Sequence, residues 1–124
     1  MNKVYYLKTC STNKKILSAF DLSSWEMREI KSSPITESEL EELRKYAGSY
    51  EALFSKKSRE IKAREIDLTK LQENDYKNLI LDHYTFLKRP VFLWDESVYA
   101  GSSKEVIAEL VDKFDGSTDI PLKK

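Results

Sequence analysis

The chain has 124 residues with 21 basic and 21 acidic side chains, so its formal net charge at pH 7 is zero. A neutral chain has no overall field to attract nucleic acid, and we expect no nucleic-acid partner. One cysteine excludes an intramolecular disulfide and a zinc site built on several cysteines. No apolar run reaches the length of a signal peptide or a membrane span. These features predict one cytoplasmic domain, residues 1–124, with no metal site and no membrane partner.

The first elements place the lone cysteine between a strand and a helix. Residues 3–7 form a short apolar stretch that predicts a strand, and Cys10 follows it. Apolar residues at helical spacing then predict a helix over Ile16, Leu17 and Phe20. A second strand is expected over residues 25–30.

A cysteine at the start of a helix is a candidate nucleophile. The first N–H groups of a helix have no intrahelical partner and carry the positive end of its dipole, so a thiolate at that end is stabilised. The same N–H groups and the hydroxyls of Ser11 and Thr12 suit an oxyanion, and Lys14 and Lys15 add two cations within the next turn. The alternative interpretation is a small, half-buried cysteine that only fills space.

The middle of the chain is predicted to be helical. Thr36 followed by Glu39 is a capping-box pattern that opens a helix from about 37 to 47. A short helical turn is expected at Leu53 and Phe54, and a further helix from about 74 to 84. Between them, the polar, basic residues 56–65 are typical of a solvated surface.

Two strands and a helix are predicted to end the chain. The nearly continuous apolar run of residues 91–94 is typical of a buried strand, and a turn at 95–97 leads into a second strand over 98–101. Ser102 followed by Glu105 is a capping-box pattern that predicts the start of a helix. The order βαβ, helices, ββα is typical of an α/β protein.

Four short motifs, in this order and spacing, resemble those of the arsenate reductase (ArsC) family of thioredoxin-like proteins, which also includes the Spx regulators and YffB-like proteins. The motifs are Cys10-Ser11-Thr12, Ala52-Leu53-Phe54, Lys88-Arg89-Pro90 and Gly101. The resemblance implies an α/β, thioredoxin-like fold, βαβ…ββα, with a helical segment, about 35–85, inserted between its halves. It also implies a cis peptide bond before Pro90, which would lie against Cys10.

The same resemblance implies a thiol-dependent oxidoreductase that acts on a small oxyanion, arsenate. Cys10 would be the nucleophile and Arg89 would hold the oxyanion. We expect Arg89 to serve anions rather than stability. The substrate-binding residues would be Ser11, Thr12, Asn13, Lys14 and Pro90. The chain has no second cysteine to resolve the adduct, so we expect an external thiol, glutathione or glutaredoxin, as reductant and no bound cofactor.

Several positions depart from the family pattern. Ser55 lies where a second arginine is expected, no arginine occurs near Gly101, Tyr6 replaces a histidine, and Lys14 replaces an arginine. An ammonium group acts as a point charge and cannot fork onto two oxygens as a guanidinium does. The basic residues of the 56–59 run could supply charge near the site.

Two other functions stay open at this point. The Spx branch of the family binds RNA polymerase, so the chain could be a protein-binding regulator without catalysis. Spx regulators commonly carry a Cys-x-x-Cys switch, and Asn13 at its second position argues against a version that is switched by a disulfide. A protein that keeps the fold without catalysis is the third possibility.

Overall fold

The computed structural model describes residues 2–115. Its strands are β1 (Asn2–Tyr6), β2 (Glu26–Glu29), β3 (Val91–Trp94) and β4 (Ser97–Ala100). Its α-helices are α1 (Ser11–Leu17), α2 (Glu37–Ala47), α3 (Arg59–Ala63), α4 (Glu73–Asp82) and α5 (Lys104–Asp115), and single 3₁₀ turns lie at Glu51–Leu53, Leu68–Lys70 and Tyr84–Phe86. The predicted order βαβ, helices, ββα is confirmed.

The four strands form one mixed sheet in the order β2-β1-β3-β4. β1 runs parallel to β2, whereas β3 is antiparallel to both β1 and β4. A parallel pair needs a crossover connection, which α1 supplies, and an antiparallel pair can be joined by a tight turn, as β3 and β4 are. The arrangement is thioredoxin-like, with the helical segment between β2 and β3.

Side chains alternate between the two faces of the sheet and fill two cores. On one face, Val4 and Phe92 pack with α1, Trp25 and Leu110 of α5. On the other face, Tyr5 and its neighbours pack against α2, α4 and the turns of the inserted segment. The insertion therefore covers the face of the sheet that α1 and α5 leave free.

The capping box predicted for α2 is confirmed. The Thr36 hydroxyl accepts a hydrogen bond from the Glu39 backbone N–H at 3.2 Å, and the Glu39 carboxylate accepts one from the Thr36 N–H at 2.9 Å. This exchange satisfies two of the N–H groups at the helix start.

One local expectation was wrong. The cap of α5 is Ser103, not Ser102: the Ser103 hydroxyl accepts from the Val106 N–H at 3.3 Å. The polar, basic 56–65 run is solvated, as expected, since none of its residues is buried. It contains α3, which Ser58 caps by accepting the Glu60 N–H. Arg64, just after α3, pairs with Asp82 at the end of α4, so this short helix is held by tertiary contacts that a local pattern does not show. Across residues 2–115, no helix combines the length and apolar character that crossing a bilayer requires.

Candidate active site

Three chain segments meet at one edge of the sheet. Tyr5 on β1 lies opposite Val91 on β3, so the chain that leaves β1 toward Cys10 runs beside the chain that enters β3 at Pro90. The Gly101 N–H donates to the Pro90 carbonyl at 2.9 Å, which brings the end of β4 to the same edge. The peptide bond between Arg89 and Pro90 is cis, as the resemblance implied.

The inserted segment supplies a fourth strand-like stretch at this edge. The Ser55 N–H donates to the Phe86 carbonyl at 2.7 Å, and the Lys88 N–H donates to the Leu53 carbonyl at 2.8 Å. Phe54 lies between these bonds in an isolated antiparallel bridge to Leu87. The Ala52-Leu53-Phe54 motif is therefore bound directly to the Lys88-Arg89-Pro90 motif, although more than thirty residues separate them in the sequence.

The four segments enclose an open cavity of about 730 Å³. Its wall includes the Cys10 thiol and cationic side chains that come from two segments: Lys56, Lys57, Lys88 and Arg89. It also includes five residues with hydroxyl groups, which come from the Cys10 loop, the inserted segment and the end of β4: Thr12, Ser49, Ser55, Ser102 and Ser103. Among the residues that the structure describes, Glu51 is the one carboxylate on the wall. A cavity lined by cations and hydroxyl donors suits an anionic ligand.

Cys10 is the N-cap residue of α1. Its backbone is extended, with φ −91° and ψ 116°, and its carbonyl accepts the Lys14 N–H at 3.1 Å. The side chain makes no capping hydrogen bond and is half-buried on the cavity wall. The thiol is therefore positioned to meet a ligand in the cavity.

Asn13 fixes the loop that carries Cys10. Its side chain is buried, with 1% exposure, and its Oδ1 accepts the Leu7 N–H at 2.9 Å. The Glu29 carboxylate holds the same loop by accepting the Lys8 N–H at 2.8 Å. Asn13 also lines the cavity, so it can contribute to both the loop and the site.

Arg89 has a structural role that we had not predicted. Its Nη1 donates to three backbone carbonyls, those of Tyr84, Thr85 and Leu87, at 3.3, 3.1 and 3.0 Å. These bonds tie the guanidinium to the turn before Pro90 and hold it against the cavity. The expectation that Arg89 serves only a ligand is therefore wrong.

The charge of Arg89 nevertheless has no counter-ion. No carboxylate within residues 2–113 pairs with it, and its Nε is buried without a hydrogen-bond partner. Burial lowers the pKa of the guanidinium below its ordinary value, while the nearby Cys10 thiol and Tyr84 hydroxyl act in the opposite direction. Arginine stays protonated even so, because its ordinary pKa is far above neutral. A half-buried, unpaired cation beside a thiol favours an anion as the missing partner.

The structure brings together some of the residues predicted for the site and leaves others apart. Cys10, Thr12, Asn13 and Arg89 line the cavity, and so does Ser55, which replaces an arginine of the family pattern. Ser11 and Lys14 are exposed and Pro90 is buried, and none of these three lines the cavity. Their part in substrate binding stays a prediction.

Lys56 and Lys57 belong to the 56–59 run that was expected to be able to supply charge near the site, and both lie on the cavity wall. Lys88 on the same wall was not among the predicted site residues, and the signal that could have found it is its place directly before Arg89. Within the described residues, no cluster of histidine, cysteine and acidic side chains could hold a metal ion.

Comparisons with known proteins agree with this arrangement. A candidate arsenate reductase from Yersinia pestis superposes with a TM-score of 0.72 at 18% identity, covering 88% of this chain and 99% of that one. An arsenate reductase from Vibrio cholerae gives 0.71 at 17% identity, covering 87% and 95%. An arsenate reductase (ArsC) related protein from Brucella melitensis gives 0.65 at 19% identity, covering 91% and 93%.

At these identities the structural matches establish the fold, and the family follows from the sequence itself. No curated protein sequence matches the chain. The profile of the ArsC family, however, matches residues 5–110, which include all four motifs and the whole cavity. The chain belongs to the ArsC family.

Proposed function

We propose that the protein is a thiol-dependent oxidoreductase in which Cys10 is the nucleophile and Arg89 binds an anionic substrate. The observation that carries this proposal is that the only thiol and an unpaired guanidinium line the same cavity. A packing cysteine would need neither an open cavity nor a neighbouring cation. A thiolate that attacks an anion needs both, because a cation offsets the repulsion between the two negative charges.

Arsenate is the substrate that we propose. The solved relative from Vibrio cholerae is named an arsenate reductase. An arsenate ion carries negative charge on oxygens that accept hydrogen bonds from guanidinium, ammonium and hydroxyl groups, which are the groups on the cavity wall. Thr12 and Ser55 lie on that wall beside Cys10 and Arg89, so hydroxyl donors and cations can act together.

The reaction requires two electrons from outside the chain. The Cys10 thiolate forms a bond to arsenic(V) and an arsenate oxygen leaves as water after it takes up protons, with no change in oxidation state. An external thiolate then attacks the Cys10 sulfur, the electron pair of the S–As bond passes to arsenic, and arsenic(III) leaves as arsenite. A second external thiolate attacks the mixed disulfide and releases the Cys10 thiolate. Two thiols become one disulfide, which balances the reduction.

Glutathione, with or without glutaredoxin, is the external thiol that we propose. Asn13 occupies the position where a Cys-x-x-Cys pair would place its resolving cysteine, and its buried amide already anchors the loop. The chain therefore has no internal route from the adduct back to the free thiolate.

The test is to incubate the purified protein with arsenate, glutathione and glutaredoxin and to follow arsenite. We expect turnover by the wild type and none by Cys10→Ser, because a hydroxyl is almost entirely protonated at neutral pH and is a far weaker nucleophile than a thiolate. Wild-type protein should also form a single glutathione adduct, visible by mass, that glutaredoxin removes. No arsenite and no removable adduct would overturn the proposal. These negative results would favour a protein-binding regulator. A regulator of this kind should bind its partner equally well in the wild-type and the Cys10→Ser forms.

A further inference from the structure

We infer that Lys88 is a second anion-binding residue of the Cys10 cavity and that it sets the preference of this cavity for negatively charged substrates. The inference rests on the proposed function, because it assigns a role within the same site. Neither the family motif nor the sequence pattern gives this lysine a role of its own.

The backbone of Lys88 is fixed on the cavity wall. Its N–H donates to the Leu53 carbonyl at 2.8 Å, and the preceding residue, Leu87, forms the bridge to Phe54. The next two residues are Arg89, held by its three carbonyl contacts, and the buried Pro90. Lys88 therefore starts from a rigid position and not from a free loop.

The apolar stem of Lys88 is also held in place. A Cβ built on Gly101 would have the Lys88 Cδ, Cβ and Cγ as its nearest neighbours, at 3.6, 3.8 and 3.9 Å. The stem thus passes over the Gly101 backbone, which has φ +98° and also lines the cavity. Packing of the methylene groups against this glycine reduces the freedom that a lysine side chain normally has.

The ammonium group of Lys88 has no carboxylate partner among the described residues. Two other lysines do have one: Lys56 pairs with Glu51 at 2.9 Å, and Lys77 pairs with Glu37 at 2.7 Å. Lys57, the third lysine on the cavity wall, has no ion pair among the described residues either, but it is exposed, whereas Lys88 is half-buried. The contrast is sharpest with Lys56, which lines the same cavity but is already neutralised. Lys88 is free to bind a ligand that brings the missing negative charge.

A second cation is needed because Arg89 is only partly available. Its Nη1 is occupied by three carbonyls and its Nε is buried, so the guanidinium cannot present its whole fork to a ligand. A ligand with two negative charges would leave one of them without a partner. Lys88, the adjacent residue, supplies that charge as a compact ammonium, which demands less of the ligand's geometry than a second guanidinium would.

The experiment compares two alkylating agents of similar size, iodoacetate and iodoacetamide, on Cys10. Both transfer a carbon to the thiolate with loss of iodide, and only iodoacetate is negatively charged, so the ratio of their rates reports the electrostatic preference of the cavity. In Lys88→Met, which keeps an apolar stem and removes the charge, we expect this ratio to fall by about threefold or more. Lys88→Arg should restore the ratio, and Lys88→Gln repeats the charge removal with a polar side chain.

Lys15→Met is the matched control. Lys15 is exposed, lies close to Cys10 in sequence and is not on the cavity wall, so its removal changes the net charge equally. The inference is overturned if folded Lys88→Met and Lys88→Gln keep the wild-type ratio or change it no more than Lys15→Met does. Alkylation requires no turnover, so an inactive wild type with a Lys88-dependent ratio would overturn the proposed reaction and leave this inference standing.

Discussion

Arg89 combines a structural role with a place on the cavity wall. One nitrogen of its guanidinium ties together the carbonyls of Tyr84, Thr85 and Leu87, while its charge faces the cavity without a counter-ion. The carbonyl contacts offset part of the cost of holding a desolvated cation in place. The chain thereby keeps a cation beside Cys10 even when no ligand is present.

We expect Arg89→Gln to lose both stability and anion preference. Loss of the carbonyl contacts should cost about 1–3 kcal/mol, which for a domain of this size lowers the midpoint of thermal unfolding by several degrees. Arg89→Lys should recover part of the iodoacetate preference and little of the stability, because an ammonium cannot reproduce the planar guanidinium. Thermal melts and alkylation rates measure the two effects separately.

Arg59→Gln is the control for charge removal, because Arg59 is exposed at the start of α3 and does not line the cavity. If Arg89→Gln has the same midpoint of thermal unfolding as the wild type, the carbonyl contacts contribute nothing to stability. If its alkylation ratio is also unchanged, Arg89 is not part of the anion site.

The sequence predicted Cys10 and Arg89 because each lies in a short motif with a recognisable neighbour. It did not predict Lys88 as a ligand, because nothing local distinguishes an unpaired lysine from a solvated one. What sets Lys88 apart is its contact with Gly101 and Leu53, and both residues are next to Lys88 only in the folded protein.

Among the secondary-structure elements, α2 is joined to the sheet by a cluster of charges around Glu39. Its carboxylate contacts the Lys3 ammonium of β1 at 2.6 Å and the Arg28 guanidinium of β2 at 2.7 Å. The same carboxylate closes the capping box with Thr36. Burial alone would raise the pKa of Glu39, but the hydrogen bonds from Lys3 and Thr36 outweigh it and hold this pKa at about 2.

The lowered pKa makes a prediction about acid. A carboxyl group whose pKa is lower in the folded chain contributes stability above its ordinary value of 4.5, and loses it as the pH falls toward 2. We expect Glu39→Gln to be less stable than the wild type by about 2 kcal/mol at pH 7. The difference should shrink progressively between about pH 5 and pH 2, which urea unfolding at several pH values would measure.

Glutamine is a suitable replacement because it can still close the capping box, so the variant removes the charge and keeps the helix start. Glu42→Gln on the same helix, where the side chain is exposed, is the control and should change stability little at any pH. A stability difference for Glu39→Gln that does not depend on pH would show that packing, and not ionisation, holds α2 to the sheet.

Helix starts were predictable where a capping pattern also determined the first turn, as at Thr36. The start of α5 was misplaced because Ser102 has Glu105 three residues later, as the capping-box pattern requires, whereas the cap in the structure is Ser103, which has Val106 at that position and caps with its hydroxyl alone. The short α3 could not be predicted, since it buries none of its residues and therefore shows no apolar pattern. The pairing of Arg64 with Asp82 beside it exists only in the folded chain.

In the molecule as a whole, Phe54 joins the helical insertion to the cavity. It is fully buried, stacks on Phe86 with ring centroids 5.5 Å apart and meets the Tyr76 ring of α4 edge-on at 4.9 Å. It also lines the cavity and forms the bridge to Leu87. The family resemblance predicted the thioredoxin-like fold, but not this aromatic cluster, because local sequence does not specify which distant rings meet.

We expect Phe54→Ala to cost about 3–5 kcal/mol of stability, because it removes a buried ring and leaves a void between Phe86 and Tyr76. It should also lower the iodoacetate preference of Cys10, although Phe54 carries no charge, because the bridge positions Lys88 and Arg89. Phe54→Leu should lose less stability and less of the iodoacetate preference. Urea unfolding and the two alkylation rates test the link between core and site.

Met27→Ala, which truncates an exposed apolar side chain on β2, is the control and should change neither quantity by much. A Phe54→Ala protein that is strongly destabilised but keeps the wild-type alkylation ratio under native conditions would show that the cavity does not depend on this cluster.

The pairing of β1 with β3 also has a consequence for the protein while it is being made. Cys10 leaves the ribosome before Lys88 and Arg89, which emerge only after the whole helical insertion has been synthesised. Strand pairing over such a separation forms late, since the long intervening loop must be closed first. During translation the thiol therefore exists without its cations, and a nascent chain cut short before β3 should show the alkylation preference of an ordinary unfolded cysteine. We therefore expect the selectivity of the thiol for anions to be gained only when the last strands join the sheet.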